Sequence, residues 1–182
     1  MRAYVFIDGN NFYFKLRSLT ERLGRKYRLS TFNFRVFSEW LAQPNTPTEI
    51  SYYIGAVKQQ QNNEKGRKMF ADQQRLFMKL RAQNISLILG QLIRHPDKTY
   101  HEKGVDVRIA VELLVGAYEN FYDAAILVSS DTDLLPAMAK VRELGKKIEY
   151  VGFGHRPSFA MQANANVSRL IVVSDVKKFL KK

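Results

Sequence analysis

Residues 124–153 read AAILVSSDTDLLPAMAKVRELGKKIEYVGF, and the fold can be worked out from this stretch. Residues 124–130 form an unbroken apolar run that closes in small polar residues, the pattern of a strand buried on both faces of a parallel sheet. Residues 134–144 carry a helical pattern. Pro136 falls in the first turn, where proline is tolerated, and Gly145 is a natural C-terminal stop. A second apolar strand follows at 148–153. Strand, helix, strand is the unit from which parallel sheets are built.

The same alternation extends in both directions. Residues 4–7 predict a strand that ends in Asp8-Gly9, and 10–23 a helix with Leu16, Leu19 and Leu23 on one face. A helix is expected at 32–41, stopped near Pro44, and a strand at 51–57. Residues 59–82 read as a long polar helix whose buried stripe is Phe70, Leu76, Phe77 and Leu80. Residues 85–92 predict a strand and 94–103 a loop. The segment 107–118 is apolar almost all round and predicts a buried helix. A strand at 170–173 and a short helix at 176–180 complete the chain. The expected class is α/β, three layers with a mainly parallel central sheet, in one domain spanning residues 1–182.

No stretch approaches the roughly 20 apolar residues of a membrane span, so no membrane contact is expected. The first residues read as a strand and not as a signal peptide. With no cysteine, a disulfide framework and thiolate metal sites are excluded, and a cytoplasmic location is the default expectation. His95, His101 and His155 lack zinc-ligand spacing. The chain holds 29 basic and 17 acidic residues, a formal charge of +12, so it favours polyanionic partners such as a phosphate backbone.

Against that basic background, four acids stand in motif-like settings: Asp8, Asp106, Asp131 and Asp133. Ligands of parallel α/β sheets bind beyond the carboxyl ends of the strands. Asp8 ends the first strand, and Asp131 and Asp133 follow strand 124–130. Asp106 opens a helix expected to start at the same edge. The four are therefore expected to meet on one rim. Carboxylates so placed need a counter-charge, and the hard cations Mg²⁺ or Mn²⁺ prefer oxygen ligands.

Each acid also has a plainer reading. Asp8 before Gly9 reads equally as a turn residue or cap. Asp106 taken alone reads as an N-cap, and Thr132 or Asp133 could cap the next helix. A single cap does not explain the pair Asp131 and Asp133. Glu112, six residues after Asp106, fits one helical face poorly and is expected in an outer, supporting position. Asn11 could cap the first helix or orient a metal ligand or phosphate. Arg67, Lys68, Arg75 and Lys79 lie on one long helix and read either as a guide for a nucleic-acid strand or as a solvated face. Tyr13, Phe14 and Tyr100 read as core or as surfaces on which bases could stack.

Three segments, in this order, resemble the motifs of the NYN domain family, within the PIN-like superfamily. VFIDGNNFY at 5–13 resembles its opening strand with Asp-Gly-x-Asn. EKGVDVRIAVELL at 102–114 resembles its Lys-Gly-x-Asp before a helix. Residues 127–153 resemble its Ser-x-Asp-x-Asp, helix, glycine and strand. Within that family the segments resemble those of the LabA-like proteins. Phe12, Ser130 and Glu112 stand where Leu, Gly and Asp are common.

The resemblance implies a PIN-like fold and Mg²⁺- or Mn²⁺-dependent hydrolysis of RNA, with Asp8, Asp106, Asp131 and Asp133 as catalytic metal ligands. It implies that Asn11 and Ser129 support the centre and that Lys103 faces phosphate. The expected partner is RNA, and homo-oligomerisation is compatible with the sequence. A nucleic-acid-binding module with little or no turnover is the alternative. A small-ester phosphatase is a weaker third reading, because Asp-Gly-Asn lacks the second aspartate of the usual nucleophile motif.

Overall fold

The computed structural model describes residues 1–21, 29–56, 64–94 and 100–180, with the side chains of 65, 91–94 and 100–103 outside the description. Strand β1 (Ala3–Asp8) passes directly into α1 (Gly9–Glu21). Helix α2 (Phe34–Ala42) is capped by Asn33, whose side chain accepts the Val36 N–H at 3.1 Å. Then come β2 (Pro47–Ile54), α3 (Glu64–Ala82), β3 (Ser86–Leu89), β4 (Gln91–Arg94), β5 (Tyr100–Lys103) and α4 (Val105–Tyr118). The chain finishes with β6 (Ala124–Val128), α5 (Leu135–Glu143), β7 (Lys147–Phe153), α6 (Phe159–Asn164), β8 (Val167–Ile171) and α7 (Val173–Lys178).

Six strands form one sheet in the order β3-β2-β1-β6-β7-β8, and all their pairings are parallel. Alternate residues of each strand face opposite sides. Val5 and Ile7 of β1 join a core with α1, α2, α3 and α7, whose Phe12, Phe37, Leu76 and Val176 are all buried. Phe6 joins a second core with α4, α5 and α6, through Ile109, Met138 and Met161. Two cores on opposite faces of one sheet make the three-layer α/β/α architecture expected from the alternation. No helix of the described residues is long and apolar enough to cross a membrane.

The order of strands fixes where a ligand can enter. From β1 the chain builds outward to β3, then returns through α4 to lay β6 on the other side of β1. The connections after β1 and after β6 diverge to opposite faces, which leaves a crevice at the carboxyl ends of these two central strands.

The structure departs from the sequence reading at several elements, including β2, which starts at Pro47 and not at 51, and α7, which spans Val173–Lys178 and not 176–180. The strand expected at 85–92 divides at Gly90, whose N–H donates to the Ile54 carbonyl at 3.0 Å. Beyond it β4 leaves the sheet and pairs antiparallel with β5, inside the segment expected to be a loop. Helix α4 is not buried all round. Val107, Val111, Val115 and Tyr118 form an exposed stripe, with Val107 and Tyr118 each 60% exposed, while Ile109 and Leu113 face the sheet. Strand β8 begins at Val167, three residues before the expected start, because its backbone pairs with β7 from Glu149 onward whatever its side chains face. Helix α6, capped by the Ser158 side chain, had no counterpart in the reading; with only six residues it is too short to show a period.

Candidate active site

Strand pairing builds the centre of the site. Ile7 of β1 is in register with Val128 of β6, so the next residues, Asp8 and Ser129, emerge side by side at the carboxyl edge. Asp8 is 6% exposed. One of its carboxylate oxygens accepts the Asn11 N–H at 3.0 Å and the other accepts the Ser129 hydroxyl at 2.9 Å. Burial pushes the Asp8 carboxyl above the ordinary carboxylate range, and the charge of Asp131 pushes the same way against those hydrogen bonds.

Ser129 links Asp8 to Asp131, because its hydroxyl oxygen also accepts the Asp131 N–H at 3.1 Å. Asp131 caps the 3₁₀ turn Thr132–Leu134, its Oδ1 accepting the Asp133 N–H at 3.1 Å. The Asn11 side chain ties the first turn of α1 to the segment after β6 by accepting the Ser130 N–H at 3.2 Å. Asp106 comes from the opposite wall, in the first turn of α4. The cap position of α4 is Gly104, at φ 83°, so Asp106 does not serve as the helix cap. That left-handed turn favours glycine at the junction from β5 into α4.

Asp8, Asp106 and Asp131 line one cavity of ≈400 Å³, together with Asn10, Asn11 and Phe14. Three of the four expected acids thus share a space, supplied by three segments far apart in sequence. Asp133 is exposed and is not part of that lining; its backbone, not its carboxylate, contacts Asp131. Glu112 also lies outside the lining. It accepts the buried Tyr53 hydroxyl at 2.7 Å and pairs with Arg108 at 2.5 Å. Burial, reinforced by Glu112, pushes the Tyr53 phenol well above its usual range.

Lys68 and Arg75 line a second cavity of ≈440 Å³ that meets the first at Asn10. Arg67 and Lys79 lie exposed on α3 outside that lining, and the side chains of Lys103, Tyr100 and His101 fall outside the described residues, as does His95. The sequence reading gave Asn10 no role. Its spacing of three and four residues from Tyr13 and Phe14 places all three on one face of α1, a signal that was present in the helical pattern.

Among the described residues, no three histidine or acidic side chains are arranged closely enough to hold a metal ion as they stand. The donor set nevertheless suits a hard cation. Mg²⁺ keeps several waters and takes only one or two carboxylates directly. The Ser129 hydroxyl joins the Asp8 carboxylate to the Asp131 backbone N–H, and the Asp106 and Asp131 side chains line the same cavity as Asp8. Burial makes the ionised Asp8 carboxylate costly in the folded chain.

A stability prediction follows from that burden. The folded chain holds the Asp8 proton more tightly than the unfolded chain does. Stability contributed by protonated Asp8 is therefore lost as pH rises from the ordinary carboxylate range through the folded value. Asp8→Asn removes the charge, and the Ser129 hydroxyl can accept from the new amide. In chelator at neutral pH, the variant is expected to melt at or above wild type, by up to a few degrees (roughly 2–4 °C per kcal/mol in a chain of this size). Melts from pH 4 to 8 check this. A variant that melts well below wild type at neutral pH contradicts it.

The NYN domain family model matches residues 2–175. The chain therefore belongs to the NYN domain family, within the PIN-like nuclease superfamily. No curated protein matches the sequence. Among solved structures, the chain is similar to a protein of unknown function from Vibrio parahaemolyticus. The two share 20% identity over 99% of this chain and 96% of that one, with a TM-score of 0.69, a likeness of fold alone.

Proposed function

We propose that this protein is a divalent-metal-dependent endoribonuclease. The observation that carries the reading is the convergence of Asp8, Asp106 and Asp131 on one cavity at the crevice between β1 and β6. Asp8, Asp106 and Asp131 would hold Mg²⁺ or Mn²⁺, with Asp133 as a further ligand or a positioning carboxylate. The cation supplies Lewis-acid stabilisation of the charge that develops on the phosphodiester.

The rest of the work falls to the chain. Ser129 and Asn11 fix the Asp8 carboxylate through its two oxygens, so its orientation does not depend on the ligand. Phe14 supplies an apolar wall on the cavity. The net charge of +12 attracts the phosphate backbone of a nucleic acid. Hydrolysis by water leaves a 5′-phosphate and a 3′-hydroxyl.

The test is cleavage of end-labelled RNA with Mn²⁺, with and without chelator. Cleavage is expected to need the metal. RNA affinity, measured separately, is expected to fall steeply between about 50 and 200 mM salt as counterion release weakens. Chelator-insensitive cleavage refutes the metal dependence. The second reading is a nucleic-acid-binding module that turns over slowly or not at all. Salt-sensitive RNA binding with no cleavage under any divalent metal selects that reading.

A further inference from the structure

The cavity between α1 and α3 offers a chemistry different from that of the carboxylates beside it. Its ≈440 Å³ lies within the roughly 300–1,000 Å³ usual for small-molecule sites. Tyr13, Ile54 and Met69 give it apolar walls, and Lys68 and Arg75 bring two cations to the same lining. A ligand that satisfies both has a flat apolar body and a negative charge, which describes a nucleotide. The position is equally specific, since Asn10 lines both this cavity and the one holding Asp8, Asp106 and Asp131.

The aromatic residues at the junction point the same way. Tyr13 and Phe14 are neighbours on α1, with ring centroids 5.3 Å apart and planes at 62°. Phe14 faces the carboxylate cavity and Tyr13 the second one. Both are exposed, at 61% and 40%. Asn10, Tyr13 and Phe14 share one helical face, so that face spans the mouths of both cavities. Arg75 is ion-paired with Asp72 at 2.8 Å, but both partners are more than half exposed, and such a pair yields readily to phosphate.

The geometry points to a base subsite. Resting on the nuclease reading, the second cavity takes the base of the nucleotide next to the scissile phosphate, stacked on Tyr13, with Lys68 and Arg75 toward that nucleotide's phosphate. A base can enter only if it is swung out of any helix, so the substrate class is single-stranded or locally unpaired RNA.

Binding is read by fluorescence anisotropy of a labelled strand of about six nucleotides. The full chain is used, with Ca²⁺ in place of Mn²⁺ so that affinity is scored apart from turnover. Tyr13→Ala is expected to weaken binding roughly tenfold or more, and Tyr13→Phe to restore it. Because Tyr13 is 40% exposed, the alanine variant is expected to keep its melting temperature, which is measured alongside. The same ribose-phosphate strand without bases is expected to lose at least tenfold more affinity on wild type than on Tyr13→Ala, about 1.4 kcal/mol of coupling.

Equal affinity of wild type and Tyr13→Ala, or equal loss on stripping the bases, overturns the subsite. Cleavage with Mn²⁺ separates the two claims. Base-dependent binding without cleavage removes the nuclease reading and leaves the subsite standing. Cleavage with no base dependence does the reverse.

Discussion

Asp131→Asn is expected to lower Mn²⁺-dependent RNA cleavage by about 10²–10³-fold or more while leaving the fold intact. The substitution is chosen because Asp131 does two things. Its Oδ1 accepts the Asp133 N–H and caps the 3₁₀ turn, and its charge stands in the cavity with Asp8 and Asp106. Asparagine caps about as well as aspartate, so the turn is retained and only the charge is lost. Asp131→Ala removes both and is expected to cost about 1 kcal/mol of stability besides.

Activity and melting temperature, measured on both variants, separate the roles. Asp133→Asn is the comparison, since that side chain is exposed and outside the cavity lining, and a smaller loss is expected. An Asp131→Asn enzyme as active as wild type removes the carboxylate centre from the proposal.

Much of this arrangement was legible in the sequence because its signals are local. The run at 124–130 records burial on both faces of β6, and burial on both faces places a strand in the middle of a sheet. Asp8 ends one strand and Asp131 follows another, so their edge could be named before their distance. Their link through Ser129 could not be named, because it depends on the register of Ile7 with Val128, a pairing across 121 residues.

The division at Gly90 was hidden for the same reason. Residues 86–94 carry apolar residues on both sides of Gly90, at Leu87, Ile88 and Leu89 and again at Leu92 and Ile93, and only the partners of each half, β2 for one and β5 for the other, assign them to separate sheets. The exposed stripe of α4 shows the limit of periodicity in another way. With Val107, Val111 and Val115 on the outer face and Ile109 and Leu113 on the inner, both faces are apolar and the pattern cannot say which is covered.

Two effects of opposite sign act on a Gly9→Ala protein. Gly9 is the first residue of α1, and helix propensity favours alanine over glycine by about 1 kcal/mol. Packing opposes it. A Cβ at position 9 would stand 2.4 Å and 2.7 Å from two ring carbons of Tyr52 and 2.8 Å from the Tyr53 carbonyl oxygen. Neither neighbour can retreat. Tyr52 is fully buried against Phe34, with ring centroids 5.0 Å apart, and the Tyr53 carbonyl belongs to β2, paired in register with Asp8.

Helix α1 must therefore move away from the sheet, taking with it the Asn11 N–H that holds the Asp8 carboxylate. Overpacking of this kind costs typically 1–3 kcal/mol, enough to outweigh propensity. The melting temperature is expected to fall by several degrees, and cleavage to fall with it. Gly154→Ala is the control, since a Cβ there meets its nearest atom at an ordinary 3.5 Å. Trimming Tyr52 to Val in the Gly9→Ala background opens the space, so the double variant should lose less than the sum of the two single losses. A Gly9→Ala protein that melts at or above wild type would mean that local propensity, and not contact with Tyr52, decides this position.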